Sequence, residues 1–496
     1  MTEKIKNMKK RFLFLSLAAL LVAGACKETT IADDQPETET PTNPDDNAKD
    51  DVVVVKGEIS EDTKWTKDKI YTLQGFVYVS NGATLTIEPG TIIKGDKASK
   101  GTLIITRGAK INAEGTADQP IVFTSALPAG ARDKGDWGGV ILLGKAPVNA
   151  GSDVKIEGGL TAPAGKDEKD YFYYGGSDES DNSGVLKYVR IEFAGIAFSP
   201  DNEINGLTLG GVGNGTTIDY VQVYRSGDDA IEWFGGTVNA KHLLAVGTWD
   251  DDFDTDFGYS GHVQFAAVQR VPSLADVSGS NAFESDNNGD GANVTPQTSA
   301  VFSNVTVLGP RQDEKTAFAA NYQHGVHFRR NSSISIANSV ISGFVLAGIN
   351  VDNTKVETPA ATSDNLLDGD AIYANNLFYG NKVDIVVSGA DDTKDAVMEL
   401  LKSNNVFDGS KFASNVYKAP YMFAKDLTAT NIGTPDFSLV DDSPAASGAD
   451  FSAEKLQDSF FEQVDYKGAF GDTDWTKGWA HYDPQNLAYD APNAVK

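Results

Sequence analysis

The chain of 496 residues contains one cysteine, Cys26. No disulfide can form within a single chain, so whatever core it builds holds without covalent staples. Histidine is scarce too, limited to His242, His262, His324, His327 and His481. His324 and His327 stand three apart around an apparent strand start, so their rings should diverge, and no thiol is free to help. That argues against zinc. Basic residues are outnumbered, 42 Lys+Arg against 70 Asp+Glu, for a formal net charge of −28. Such a surface repels phosphate backbones and anionic lipid, which argues against nucleic acid and leaves cations and neutral or basic partners. Helical periodicity is nearly absent. Short Val/Ile/Leu/Thr runs instead alternate with Gly, Asn and Asp corners, a pattern of many short strands.

The N-terminus reads as a leader. "MKKRFLFLSLAALLVAGAC" (8–26) has a basic start, an apolar run from Phe12 to Val22, and small residues before Cys26. It is too short for a stable membrane span and fits a secretory signal over residues 1–25. Ala23, Gly24 and Ala25 before Cys26 resemble a bacterial lipobox, in which the cysteine is lipidated and becomes the membrane anchor. Ala23 stands where leucine is commonest in that motif. Acylation also accounts for a secreted chain with one unpaired thiol. Residues 26–51 form a tether, because 27–51 hold nine acids, two lysines and three prolines without apolar periodicity. An acidic stretch directly after a lipidated cysteine resembles the surface-export signal of Bacteroidota lipoproteins. That implies an outer membrane anchor facing the cell surface; a plain periplasmic spacer is the alternative. Without residues 1–25 the chain carries 37 Lys+Arg against 69 Asp+Glu.

A repeat sets the expected architecture. "GLTLGGVGNGTTIDYVQV", "AIEWFGGTVNAKHLLAV" and "DFDTDFGYSGHVQFAAV" align as an alternating triplet, a turn and an apolar strand. Later members are "AFES", "GVHF", "GINV" and "KVDI". Their second residues, Leu207, Ile231, Phe253, Phe283, Val326, Ile349 and Val383, are all apolar. Their third residues, Thr208, Glu232, Asp254, Glu284, His327, Asn350 and Asp384, are all polar. Alternation of period two sends the first column inward and the second outward. A coil of 22 to 24 residues with three short strands predicts an all-β right-handed parallel β-helix, a solenoid with loop insertions. An open solenoid end exposes unpaired backbone, so caps are expected at 52–75 and 431–496, with the solenoid between them at 76–430.

"GATLTIEPGTIIKG", "RGAKINAEGTADQPIVFTS", "GDWGGVILLGKAPVN" and "DYKGAFGDTDWTKGW" resemble a family of Bacteroidota β-helix surface lipoproteins. The resemblance runs through most of residues 60–485. It implies a neighbouring TonB-dependent outer-membrane transporter as a partner and implies little about activity.

The outward column places Glu232, Asp254 and Glu284 on successive coils, about 4.8 Å apart, where like charges repel unless solvated, protonated or bridged by a cation. "WDDDFDTDFG" adds Asp252 and Asp256. "SDNNGDG" adds Asp286, Asn288 and Asp290, alternate oxygen side chains before a glycine, like the first half of a calcium loop. Position twelve of that loop is Gln297, so it is no EF-hand. These eight residues are the candidate Ca2+ ligands. "SGDDAIEWFGG" (226–236) resembles the catalytic corner of polygalacturonases, with Asp228 and Asp229 in the paired position and Arg225 three residues before Asp228. It departs from that pattern: "NEING" lacks the expected aspartate one coil earlier, and "WDDDFDT" stands where Gly-His-Gly should follow. The alternative is a solenoid corner whose aspartates cap backbone N–H groups.

"YFYY", Tyr171, Phe172, Tyr173 and Tyr174, sits in an acidic insertion and could stack on sugar rings or pack on the solenoid. Trp475, Trp479 and Tyr482 pose the same choice near the C-terminus. Three functions stay open. The first is a surface binding protein for a glycan, a cation or a transporter. The others are a calcium-dependent polysaccharide lyase or hydrolase, and a structural or adhesive envelope protein.

Overall fold

Each coil is three short strands separated by corners, and the corners decide the shape. The structure, a computed structural model, describes residues 51–198, 203–390 and 392–496. Cys26, the expected leader and almost all of the expected tether lie outside them. Parallel pairing carries one continuous set of 26 strands from Val52–Ile59 to Val406–Asp408, a right-handed parallel β-helix. It has three faces. Sheet A contains Leu207–Val212, Ile231–Gly236, Phe253–Asp256, Phe283–Ser285, His324–Arg329, Ala347–Asp352 and Ile385–Ser388 in register. Sheets B and C share long strands such as Thr217–Tyr224 and Ala240–Val246, bent at one residue in the left-handed region. That residue is Tyr188, Tyr220, His242, Phe265, Asn304, Asn338 or Asn375, with φ between 50° and 60°.

The inner column of sheet A runs Leu207, Ile231, Phe253, Phe283, Val326, Ile349 and then Ile385. The expected register therefore holds through Ile349 and slips by two at the last coil. Val383 is 44% exposed, and Val386 takes the outward place expected for Asp384. Trp233 fills the widest level, stacked on Tyr259 at 5.3 Å and edge-on to Phe302. One polar rung crosses this core: Thr255 Oγ1 donates to Ser285 Oγ at 2.8 Å, which meets Ser332 Oγ at 2.6 Å.

Neither end is built as the sequence suggested. Residues 52–75 are the first coil itself, since Val52–Ile59 pairs in parallel with Ile70–Val79. At the far end the interior is closed by a helix, Lys394–Asn404 (α1), which buries Val397 and Leu401 in the core cluster. Residues 431–496 are no end cap. With the segment before them they run back along the outside of sheet C, whose outer face is apolar where they cover it. Tyr224, Leu244, Leu308, Val340 and Leu377 pack there against Met422, Phe423, Phe437 and Phe470.

Side-chain amides fasten this returning strap as a β-bridge would. Gln222 donates to His481 O and accepts from His481 N, and Gln264 does the same with Glu462. Asn338 repeats the pattern with Asp450. Buried Arg132 and Arg190 hold the final residues through the carbonyls of Pro484, Leu487, Ala488 and Val495. Trp479 and Tyr482 are buried in this strap, and Trp475 meets His242 and Tyr220 edge to face.

Candidate functional site

The insertion between Val140–Leu143 and Gly184–Glu192 folds over the outer face of sheet A. Its two-stranded hairpin (Val154–Lys155 with Tyr173–Tyr174) turns "YFYY" inward. Tyr171, Phe172 and Tyr174 are buried against Tyr78, Ile104, Ile141 and Phe234, and Tyr173 is half-buried with its hydroxyl on Glu168. The expectation that these four rings bind a ligand is corrected: their faces are spent on packing the insertion.

Beside this insertion lies a cleft of about 1240 Å³. Its walls include Glu157, Glu203, Asp228, Asp229, Glu232 and Asp250, together with Trp249, Lys134, Arg329 and Arg330. One wall is backbone in close contact. A Cβ on Gly227 would sit 2.6 Å from Gly195 O, which is why "SGDD" needs its glycine.

Two columns of side chains climb the cleft floor. The outward column contains Thr208, Glu232, Asp254, Glu284 and His327, as the alternation requires. A second column, three residues earlier on each coil, contains Asn205, Asp229, Asp251, Asn281 and His324. Three of these side chains, Asp229, Asp251 and Asn281, accept the next coil's backbone N–H, while Asn205 Oδ1 is buried without a partner. Asp229 Oδ1 takes Asp251 N at 2.8 Å, Asp251 Oδ1 takes Asn281 N at 2.5 Å, and Asn281 Oδ1 takes His324 N at 3.0 Å. Sequence reasoning missed Asn205 and Asn281 and the capping role of Asp251. Their shared offset from the apolar column was a legible signal.

Two triples of carboxylates converge: Asp228, Asp229 and Asp250, and then Asp229, Glu232 and Asp254. In each, one oxygen per residue lies within 4.8 Å of the others. Among the described residues no Lys, Arg or His forms an ion pair with any of the five. Asn205 Nδ2 donates to Glu232 Oε2 and, at 3.4 Å, to Glu157 Oε1. Asp250 Oδ1 and Asp254 Oδ1 are out of solvent with no hydrogen-bond partner. Burial first, and neighbouring carboxylates second, push all five carboxyls well above the usual range. Oxygen-only donors, buried or half-buried and without an ion pair, fit a hard divalent cation such as calcium.

Other expected ligands stand elsewhere. Asp252 faces inward, ion-paired with buried Arg270 at 2.7 Å, so it cannot reach a cation in the cleft. Glu284 is taken by Arg329 and His327. Asp256 accepts the N–H of Phe257 at 2.6 Å, and burial pushes its carboxyl up to about 7. The loop-like string does not form a cage. Asp286 pairs with Arg329 and Arg330, Asn288 Oδ1 caps the N–H groups of Asp290 and Ala292, and the Asp290 side chain is 92% exposed.

The polygalacturonase-like arrangement also fails on geometry. Arg225, a left-handed corner residue, makes no ion pair with Asp228 among the described residues. Asp229 caps the next coil, as in the corner reading. Asp228 and Asp229 approach within 4.8 Å, whereas an inverting pair of carboxyls stands roughly 6.5–9.5 Å apart around its water.

No curated protein matches the chain. Residues 57–421, well over half of the sequence, match the pectate-lyase-like β-helix domain. With its parallel coils and a cleft over one sheet, the chain belongs to the pectate-lyase-like β-helix domain family.

Proposed function

We propose that this chain is a lipid-anchored surface protein that binds calcium in the cleft over sheet A and uses the loaded cleft to hold a glycan. One observation carries the reading: five converging carboxylates lack a protein cation, and two of their buried oxygens have no partner. Such a group costs stability unless protonated or matched by a cation. The anchor at Cys26 and the outer-membrane setting rest on the N-terminal sequence, and a transporter partner rests on the resemblance carried by the motifs within residues 60–485. Glycan capture is supported by the long cleft, by Trp249 and exposed Val277 on its walls, and by Arg329 and Arg330 beside the carboxylates.

Thermal unfolding of the full chain with calcium and with EDTA tests the cation. Calcium should raise the melting temperature by several degrees, and Asp254→Asn should abolish most of the rise. Equal melting in both conditions overturns the reading.

The second reading, a polysaccharide lyase, draws on the same arginines and on the family. A lyase needs a base that removes the proton α to a uronate carboxyl, after which the C–O bond to the leaving sugar breaks and a C=C forms. Arg329 already donates to Glu284 and Asp286, so its guanidinium is not free to meet a substrate proton. Incubation with uronate polymers should therefore give retention without unsaturated products; their appearance would establish the lyase.

A further inference from the structure

The cleft carboxylates form two overlapping sets with one shared member. Asp228 and Asp250 complete one set with Asp229, and Glu232 and Asp254 complete the other. The chain dictates this. Asp229 belongs to the capping column, Glu232 and Asp254 to the outward column, and Asp228 and Asp250 each open a coil corner just before the capping column. Asp229 Oδ1 is engaged with Asp251 N, so Oδ2 is the atom left to face both sets.

Each set also has its own orphan. Asp250 Oδ1 belongs to the first and Asp254 Oδ1 to the second; both are shielded from water and unpartnered. Ser278 Oγ reaches the other oxygen of Asp250 at 3.3 Å, leaving Oδ1 untouched. One divalent ion against five buried or half-buried carboxylates leaves most of their charge uncompensated, whereas a second ion nearly balances it. Protein cations do not supply the difference. Arg329 and Arg330, which share the cleft, are held by Glu284 and Asp286.

We infer that the cleft takes two divalent cations bridged by Asp229, one completed by Asp228 and Asp250 and the other by Glu232 and Asp254. This rests on the cation reading above and adds its stoichiometry. It also reassigns Asp228 and Asp229 from a catalytic alternative to ligands. Asp229 combines two tasks, capping a coil with one oxygen and joining two ions with the other.

Calcium equilibrium dialysis on the full chain counts the ions. The wild type should bind two. Asp250→Asn and Glu232→Gln should each retain one, and Asp229→Asn should weaken both sites by tenfold or more. A single ion in the wild type overturns the pairing while leaving the cation reading intact. No ion overturns both. Two ions that persist in both single variants overturn the ligand assignment. Should a variant fail to fold by circular dichroism, wild-type crystals soaked in terbium keep the question decidable. Two anomalous peaks flanking Asp229 support the inference, and one peak overturns it.

Discussion

Asp229 and Asn281 do the same backbone work two coils apart, each accepting the N–H of the following coil. An amide therefore suffices at this position, and the charge on Asp229 and Asp251 is surplus to the fold. Surplus negative charge among buried carboxylates is destabilising unless a cation meets it. Asp229→Asn should keep the capping bond, raise the melting temperature in EDTA, and shrink the calcium-induced shift. Asp251→Ala should behave differently. It strips the cap from Asn281 N and should cost ~1–3 kcal/mol in both conditions, because a buried donor loses its acceptor. Paired melting curves with calcium and EDTA separate the two. A similar loss for both variants in EDTA would show that the charge at residue 229 has a structural role.

The strands were legible because alternation carries burial on its face. Glu232, Asp254 and Glu284 line one outward column for the same reason that Ile231, Phe253 and Phe283 line the inward one. Val383 misled because a polar–apolar alternation continues through "KVDIVV", so two registers two residues apart look alike. Pairing with Ala347–Asp352 selects Ile385. The closing helix α1 lies beyond the last member of the repeat, where the column no longer guides the eye, although Val397 and Leu401, four apart, mark its buried face. Leu401→Asp should expose the interior of the last coil and place a charge in it. We expect a lower melting temperature and faster proteolysis within 340–408 than in the first coils, read by limited digestion and mass spectrometry. "YFYY" gave no hint of which way it faces, because aromatics suit a packed hairpin and a binding platform equally.

Over the whole molecule, the strap ties the C-terminus to the early coils, and its His481 titrates. Burial, the Arg190 charge and a smaller opposing effect from Asp483 set His481 at about 4, below its ordinary 6.5. The unfolded chain thus takes up this proton first as pH falls. The stability that the neutral imidazole contributes is present above pH 6.5 and is lost on descent toward pH 4. Melting temperature should fall across that window, and His481→Gln should flatten the slope while its backbone still pairs with Gln222. An unchanged slope would place the acid sensitivity elsewhere.

The sequence by itself determined the coil, its inward and outward columns, and the acidic character of one outward column. Period-two patterning and stacked like residues are local properties repeated along the chain, and nothing distant is needed to read them. Only the tertiary structure decided which carboxylates converge. Asp252 and Asp254 are two residues apart, yet one pairs with Arg270 inside the coil and the other faces the cleft. The same holds for the strap, whose place depends on Gln222, Gln264 and Asn338 meeting backbone more than 100 residues away. Contacts across such separations follow from how the coils stack, and no local pattern encodes them.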